Sequence, residues 1–187
     1  MRIISGTLKG KNILFLKTLN TRPLKDSVKE NIFNVLNHSN LVDIEVSNAN
    51  VLDMYSGIGS FGLECISRGS AKITFVEKDK KAVEILKENI VSLSALDNTT
   101  VVTEDISKFI NKKIITKFEI IFLDPPFIDD SFHKILKIIF EKKIFNKKHI
   151  VIIHREDKKK EKFDDYFKTF IVKKYGRSKI IFGKFLF

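Results

Sequence analysis

The chain has 187 residues, of which 43% are hydrophobic and 30% charged, and its formal net charge is +11. This length and balance predict one soluble domain with a full hydrophobic core and a small appendage, and no apolar run reaches the roughly 20 residues that span a bilayer. The single cysteine excludes an internal disulfide, and the first residues lack the apolar segment of a signal peptide, so we expect a cytoplasmic protein with no membrane partner.

The positive charge is concentrated at the two ends of the chain. Residues 1–34 carry +5, residues 35–140 carry −3 and residues 141–187 carry +9. A polyanionic partner held by both ends would account for this distribution. Lysine-rich ends that only keep the protein soluble are the alternative.

The first 20 residues predict a basic β-hairpin extension, which we separate from a main domain over 21–187. Short apolar pairs flank Gly6 and Gly10 in this segment, and Lys9 and Lys11 lie on it.

From residue 26 onward, helical and strand patterns alternate. A first helix would take Asp26 or Ser27 as its N-cap. After a polar loop, the pattern predicts strands over 49–52, 73–77, 100–103, 118–123 and 150–153, helices over 60–68, 80–93, 106–110 and 132–140, and a hairpin of 167–174 with 180–187. This alternation predicts an α/β fold, a Rossmann-like and mainly parallel sheet with helices on both faces and an antiparallel C-terminal strand.

A glycine-rich loop follows the first strand of the main domain. The stretch 51–62 holds Asp53 at the strand end and then Gly57, Gly59 and a third glycine before a helix. Glycine permits positive φ and a close approach of the backbone to a ligand, and a helix N-terminus points free amides into the same space. Glu77 ends the next strand, where such folds place a carboxylate on a ribose diol. We interpret the stretch as a nucleoside-cofactor site, and the motif does not identify the cofactor.

A second motif, Asp124-Pro125-Pro126-Phe127, ends a strongly apolar strand. The two prolines stiffen the chain, so Asp124 and Phe127 are held in place. A carboxylate, turned carbonyls and an aromatic face together suit a planar group that bears an NH₂. The structural alternative is a strand end followed by a proline turn.

The two motifs together resemble S-adenosylmethionine-dependent methyltransferases that act on exocyclic or amide nitrogens. The segments 22–34 and 61–69 narrow the resemblance to the RsmD family, which methylates guanine N2 of 16S rRNA. The likeness runs from Gly6 to about Gly176. Leu24 and Ser27 depart from the threonine and arginine that the family usually has at these positions.

The resemblance implies a role for each residue of both motifs. It places Gly57 and Gly59 along the methionine part of the cofactor, Asp53 near its amino group and Glu77 on the ribose hydroxyls. It places Asp105 at the adenine amine. The other residues that it implies around the cofactor are Tyr55, Ser56, Lys78 and Ile106. The catalytic set is Asp124, Pro125, Pro126 and Phe127. The candidate RNA contacts are Lys9, Lys11, Arg22 and Arg177.

The implied reaction transfers a methyl group from S-adenosylmethionine to the N2 amine of one guanine (guanine-966 type) in 16S rRNA. The partner would be the small ribosomal subunit or its assembly intermediate, and the enzyme would be a monomer. The target base must leave its stack to reach the pocket. No metal site is expected, because the four histidines are scattered and no Cys/His cluster exists.

Four alternatives remain open from the sequence. A DNA adenine-N6 methyltransferase carries nearly the same proline motif, although 187 residues leave no room for the usual target-recognition domain. A glutamine-N5 protein methyltransferase would favour Asn at position 124. An NAD-binding oxidoreductase shares the glycine loop, and a non-enzymatic RNA-binding module would bind no cofactor.

Overall fold

A single seven-stranded sheet forms the centre of the computed structural model, which describes residues 1–15 and 24–186. Its strands in chain order are β1 Asn50–Met54, β2 Lys72–Glu77, β3 Thr99–Thr103, β4 Phe118–Leu123, β5 Phe145–Glu156, β6 Phe167–Tyr175 and β7 Ser178–Phe185. Their order across the sheet is β3-β2-β1-β4-β5-β7-β6. The first five in this order are parallel, and β7 lies antiparallel between β5 and β6.

Helices cover both faces of the sheet, and each face has its own hydrophobic cluster. The helices are α1 Asp26–His38, α2 Ser60–Ser67, α3 Lys80–Ser92, α4 Ile106–Asn111 and α5 Phe132–Lys142. The first three pack on one face and the last two on the other. No helix within residues 1–15 and 24–186 has the length and apolar character needed to cross a membrane.

The predicted fold class is confirmed, and the differences lie at element ends. The helix α1 has Lys25 at its N-cap position without a side-chain cap, so the expected cap at Asp26 or Ser27 was wrong. The carboxylate of Asp26 instead lies 3.9 Å from Lys29 Nζ. The strand β5 begins five residues before the predicted start, because its first residues include polar ones that no alternation marks.

The N-terminal segment packs into the domain. The two arms of the expected hairpin meet at one isolated antiparallel bridge, between Arg2 and Asn12, because turns with positive φ at the two glycines occupy most of the segment between them. Ile3 and Ile13 are buried in the core. Residues 16–20 of this segment lie outside the described residues, as do Arg22 and Pro23.

A buried carboxylate on α2 fixes this segment. Glu64 accepts hydrogen bonds from the backbone N–H groups of Ile4 at 2.8 Å and Ser5 at 3.0 Å. It also pairs with Lys29 at 3.4 Å and Arg68 at 2.9 Å, and the Glu64 and Lys29 side chains have no exposed surface. Buried charges are tolerated only when paired and hydrogen-bonded, so the four partners form one interdependent unit.

We predict that Glu64→Ala lowers the free energy of unfolding by about 3–5 kcal/mol, because it removes the nearer and fully buried of the two carboxylates that pair with the buried Lys29 ammonium. Chemical denaturation would measure the change. The matched control is Glu84→Ala on the exposed side of α3, which should change stability by less than about 0.5 kcal/mol. Equal effects of the two substitutions would contradict this account of the N-terminal segment.

Candidate active site

The two sequence motifs meet at the carboxyl ends of β1 and β4. These strands are parallel neighbours, with Met54 in register with Leu123. The backbone N–H of Asp124 donates to the Met54 carbonyl at 3.3 Å. The chain leaves β1 towards β2 on one side and returns to β4 on the other, which makes this edge the topological switch point where open α/β sheets bind ligands.

The glycine loop after β1 needs glycine for two separate reasons. Gly59 has φ +84°, and a Cβ there would lie 2.4 Å from Leu86 Cδ1. Gly62 sits inside α2 with ordinary φ, but its Cβ would come within 2.3 Å of the Phe75 ring on β2. The loop therefore turns sharply and lets α2 lie directly on the sheet. Tyr55 also has positive φ, at 58°, a strained conformation that concentrates at functional sites.

Asp53 is a buried carboxylate with one oxygen in use. Its Oδ2 accepts the Gly62 N–H at 2.9 Å, and its Oδ1 is buried without a hydrogen-bond partner among the described residues. Burial raises the pKa of Asp53 well above its usual value, the Gly62 bond opposes the rise, and the negative charges of Asp124 and Glu77 add to it. Because a nearby cation stabilises the ionised form of a buried carboxyl group, the oxygen of Asp53 without a partner suits a cationic donor.

Glu77 and Asp105 organise the next two strand ends. Glu77 accepts from the backbone N–H of Gly57 at 2.9 Å and from those of Lys78 at 2.8 Å and Asp79 at 2.9 Å. Asp105 caps α4 through the Ser107 N–H at 2.9 Å, and hydrogen bonds from Ser107 followed by Lys78 lower its pKa. Both carboxylates are thus held in place at the rim.

A cavity of about 700 Å³ joins these groups. Every residue of the predicted cofactor and catalytic sets lines it except Gly59, which shapes the loop behind. Within the described ranges, Lys78 is the single lysine or arginine of the lining, against seven acidic side chains, namely Asp53, Glu77, Asp79, Glu104, Asp105, Asp124 and Asp129. The lining also holds buried polar atoms that have no hydrogen-bond partner in the part of the chain that the structure describes, which are Asp53 Oδ1, Ser56 Oγ, Ser60 Oγ and His154 Nε2. Buried polar atoms of native proteins are normally paired, so these four mark a polar ligand site.

The Asp124–Phe127 motif continues into a turn held by a buried arginine. The Asp129 N–H closes the turn on the Pro126 carbonyl at 2.8 Å. Arg155, on β5 and with no exposed surface, donates to the carbonyls of Pro126 at 3.1 Å and Asp129 at 3.0 Å. Its guanidinium also stacks over the Phe132 ring. Both ends of the turn are therefore fixed, and Phe127 is held at the mouth of the cavity.

Sequence reasoning missed His154, which forms a side-chain hydrogen bond with Asp124. Its Nδ1 lies 2.8 Å from Asp124 Oδ1, and its ring meets Phe127 edge-on at 5.5 Å between centroids. The position of His154 directly after a predicted strand could have indicated that it lies at the site. His154 follows the apolar run 150–153 as Asp124 follows 118–123, and Ile153 is in register with Leu123.

Three of the predicted RNA contacts, Lys9, Lys11 and Arg177, are not among the residues that line the cavity. Lys9 and Lys11 are exposed on the N-terminal segment. Arg177 is exposed on the turn between β6 and β7, which reaches the same sheet edge because Ser178 pairs with Glu156 at the end of β5. Arg22 lies outside the described part of the chain.

Comparisons with known proteins agree with this geometry. A family model described as "Conserved hypothetical protein 95" matches residues 1–184. The chain belongs to the RsmD family. The ribosomal RNA small subunit methyltransferase D of Buchnera aphidicola (Acyrthosiphon pisum) is 32% identical over 83% of this chain and 78% of its own length. The protein of the same name in Escherichia coli K12 is 35% identical over 68% of this chain and 60% of its own length.

Solved structures that carry methyltransferase names share the fold of this chain. The Escherichia coli protein yhhF has a TM-score of 0.85 over 99% of this chain and 97% of its own, at 25% identity. SMU.776, solved in complex with SAH, has a TM-score of 0.62 over 84% of this chain and 48% of its own. At 13% identity, that second likeness shows the fold alone.

We predict that Asp53→Asn stabilises the free protein as the pH rises. A raised folded pKa means that the Asp53 contribution is favourable at low pH and is lost as the pH rises through that pKa, whereas Asn keeps an acceptor for the Gly62 N–H without ionising. Each 1 kcal/mol of relief should raise Tm by roughly 2–4 °C in a domain of this size. Thermal melts between pH 5 and 8 would measure a growing difference, and a variant less stable at every pH would contradict it.

Proposed function

We propose that this RsmD-type methyltransferase transfers a methyl group from S-adenosylmethionine to the exocyclic N2 amine of a guanine in 16S rRNA. The observation that carries the proposal is the acid-lined cavity with an unpartnered Asp53 oxygen, which opens onto the Asp124–Phe127 turn. The names of the relatives support an rRNA substrate, since several are ribosomal RNA small subunit methyltransferases. Guanine N2 and its position in the RNA are our own inference.

The electrostatics of the cavity fit the cofactor. S-adenosylmethionine carries an ammonium and an electrophilic sulfonium methyl, which is the group that it supplies when bound. The carboxylates of the lining favour such cations, and Asp53 Oδ1 is available for the ammonium. We assign Glu77 to the ribose hydroxyls and Asp105 to the adenine amine. The diphosphate of NAD would instead meet net negative charge, so the lining argues against the oxidoreductase alternative.

The Asp124–Phe127 turn suits a flat base with an amine. Asp124 would accept one N–H of that amine and the Pro125 carbonyl the other, while the base lies on the Phe127 ring. The Pro126 carbonyl is already occupied by Asp129 and Arg155, so it cannot take the same role without breaking the turn. Two acceptors on one amine favour a pyramidal nitrogen whose lone pair is free to react.

Positioning would supply most of the rate enhancement. Holding an amine and its electrophile in a reactive geometry is worth up to roughly 7–11 kcal/mol. Asp124 can also accept the proton that the amine loses, at the oxygen which faces the substrate. Arg155 contributes indirectly, because it fixes the turn that carries Phe127.

The RNA backbone would be held outside this cavity. Phosphates are repelled by the acidic lining, so a single base must enter while the strand lies along basic surface elsewhere. Lys9, Lys11 and Arg177 are exposed cations that could provide this surface, together with Arg22.

The direct test incubates the protein with labelled S-adenosylmethionine and, separately, small ribosomal subunits lacking the modification, naked 16S rRNA, duplex DNA and total protein. Nucleoside digestion of the labelled product should then yield N2-methylguanosine. Label found in DNA or protein alone, or a methyl on adenine N6, would overturn the proposal.

We predict that Asp124→Ala reduces turnover by at least about 1,000-fold while the affinity for S-adenosylmethionine stays within tenfold, because the side chain serves the amine and not the cofactor. Single-turnover kinetics and calorimetry would separate the two quantities. The exposed Asp97→Ala serves as the control and should change neither. A collapse of cofactor affinity in Asp124→Ala would show that the two pockets are not separate.

We also predict that the double substitution Lys9→Ala and Lys11→Ala reduces the slope of log affinity for RNA against log salt by roughly 1.5–2, because two phosphate contacts are lost. Substitution is preferable to truncation, since Ile3 and Ile13 belong to the core. The double substitution Lys113→Ala and Lys117→Ala, just before β4, is the matched control. Identical slopes for both double variants would assign the N-terminal lysines to solubility.

A further inference from the structure

We propose that His154 is a positioning residue that gives the two oxygens of Asp124 separate tasks. The inference rests on the proposed role of Asp124 as the acceptor for the target amine. His154 lies on β5, the strand next to β4, and only 13% of its side chain is exposed. The contact with Asp124 therefore forms inside the sheet edge, where water competes little.

The proposed role of Asp124 determines the tautomer of the ring. If Asp124 is to accept from the target amine as a carboxylate, it has no proton to donate, so His154 Nδ1 must carry the hydrogen that bridges the 2.8 Å to Asp124 Oδ1. The Nε2 atom is buried and has no partner among the described residues. A hydrogen on Nε2 would have no acceptor in the described part of the chain, so the geometry favours the tautomer with its proton on Nδ1.

This bond decides where Asp124 points. With Oδ1 held by His154, rotation of the carboxylate would break a buried hydrogen bond, so Oδ2 is left for the substrate. A free carboxylate at the end of a strand would sample several orientations. A misplacement of about 1 Å can cost roughly 100-fold in rate, so the bond should act on turnover more than on binding.

The comparison with His149 separates this role from ordinary packing. Both ring nitrogens of His149 are used, since Nδ1 contacts the Asn146 carbonyl and Nε2 accepts the Phe185 N–H at 2.9 Å. That pattern joins two strands and is structural. His154 makes its side-chain hydrogen bond to the one carboxylate that the mechanism uses, and its ring packs edge-on against Phe127 of the same motif.

The test compares His154→Asn with His154→Leu in the full chain. Asn keeps an N–H donor close to the position of Nδ1, whereas Leu fills similar space without one. We expect Leu to lower kcat by about 30–100-fold and Asn by less than about fivefold. The KM for RNA and the Kd for S-adenosylmethionine should stay within about threefold in both, and the melting temperatures should differ little.

Two results would overturn the assignment. Equal losses in kcat for His154→Asn and His154→Leu would mean that the N–H donor is not what matters. A loss in kcat of His154→Leu that is matched by a fall in its melting temperature would mean that the role of His154 is structural. Nitrogen-15 NMR of the wild-type histidines gives an activity-independent check, because the His154 proton must reside on Nδ1. A proton on Nε2 at neutral pH contradicts the proposal.

The same assay distinguishes failure of the inference from failure of the proposed function. If the wild-type protein methylates another amine substrate, the RNA assignment fails, and the turnover of the two variants is then compared on that substrate. If the wild-type protein methylates guanine in rRNA and the His154→Leu variant is as fast as the wild type, the rRNA assignment stands and the proposed role of His154 is wrong.

Discussion

One backbone hydrogen bond, from the Asp124 N–H to the Met54 carbonyl, joins the two halves of the site. It exists because β1 and β4 are parallel neighbours that end at the same level, although they are separated by about 65 residues of sequence. The glycine loop leaves one strand and the Asp-Pro-Pro-Phe turn leaves the other. Everything that we infer about chemistry depends on this meeting of two loops at one cavity.

The candidate site contains groups that reduce stability. Asp53 is buried with one oxygen that has no partner among the described residues, and the neighbouring carboxylates add to the rise in its pKa that burial causes. The rest of the fold compensates with fully paired charges. Glu64 on one face and Arg155 on the other are each buried within several hydrogen bonds, and they hold the N-terminal segment and the Phe127 turn respectively. The acidic cavity is thus set in a rigid frame.

The fold and the carboxylates at the strand ends of the cavity were predictable from local patterns. Apolar runs that end in Asp53, Glu77 and Asp124 mark the carboxyl ends of parallel strands, and that edge is where ligands bind in such sheets. His154 and Arg155 were not predicted, since their roles depend on which strand lies beside β4 and on side chains 25 or more residues away. The helix cap at Lys25 was missed because Asp26 is drawn into ion pairs instead.

The most direct test of the central claim is a crystal structure of the protein with S-adenosylhomocysteine bound. We predict that the ligand's ammonium contacts Asp53 Oδ1 and that its sulfur faces the space between Asp124 and Phe127. A ligand whose sulfur points away from Asp124, or whose adenine occupies that end of the cavity, would contradict the account, because no methyl carried on that sulfur could then reach a base held by the turn.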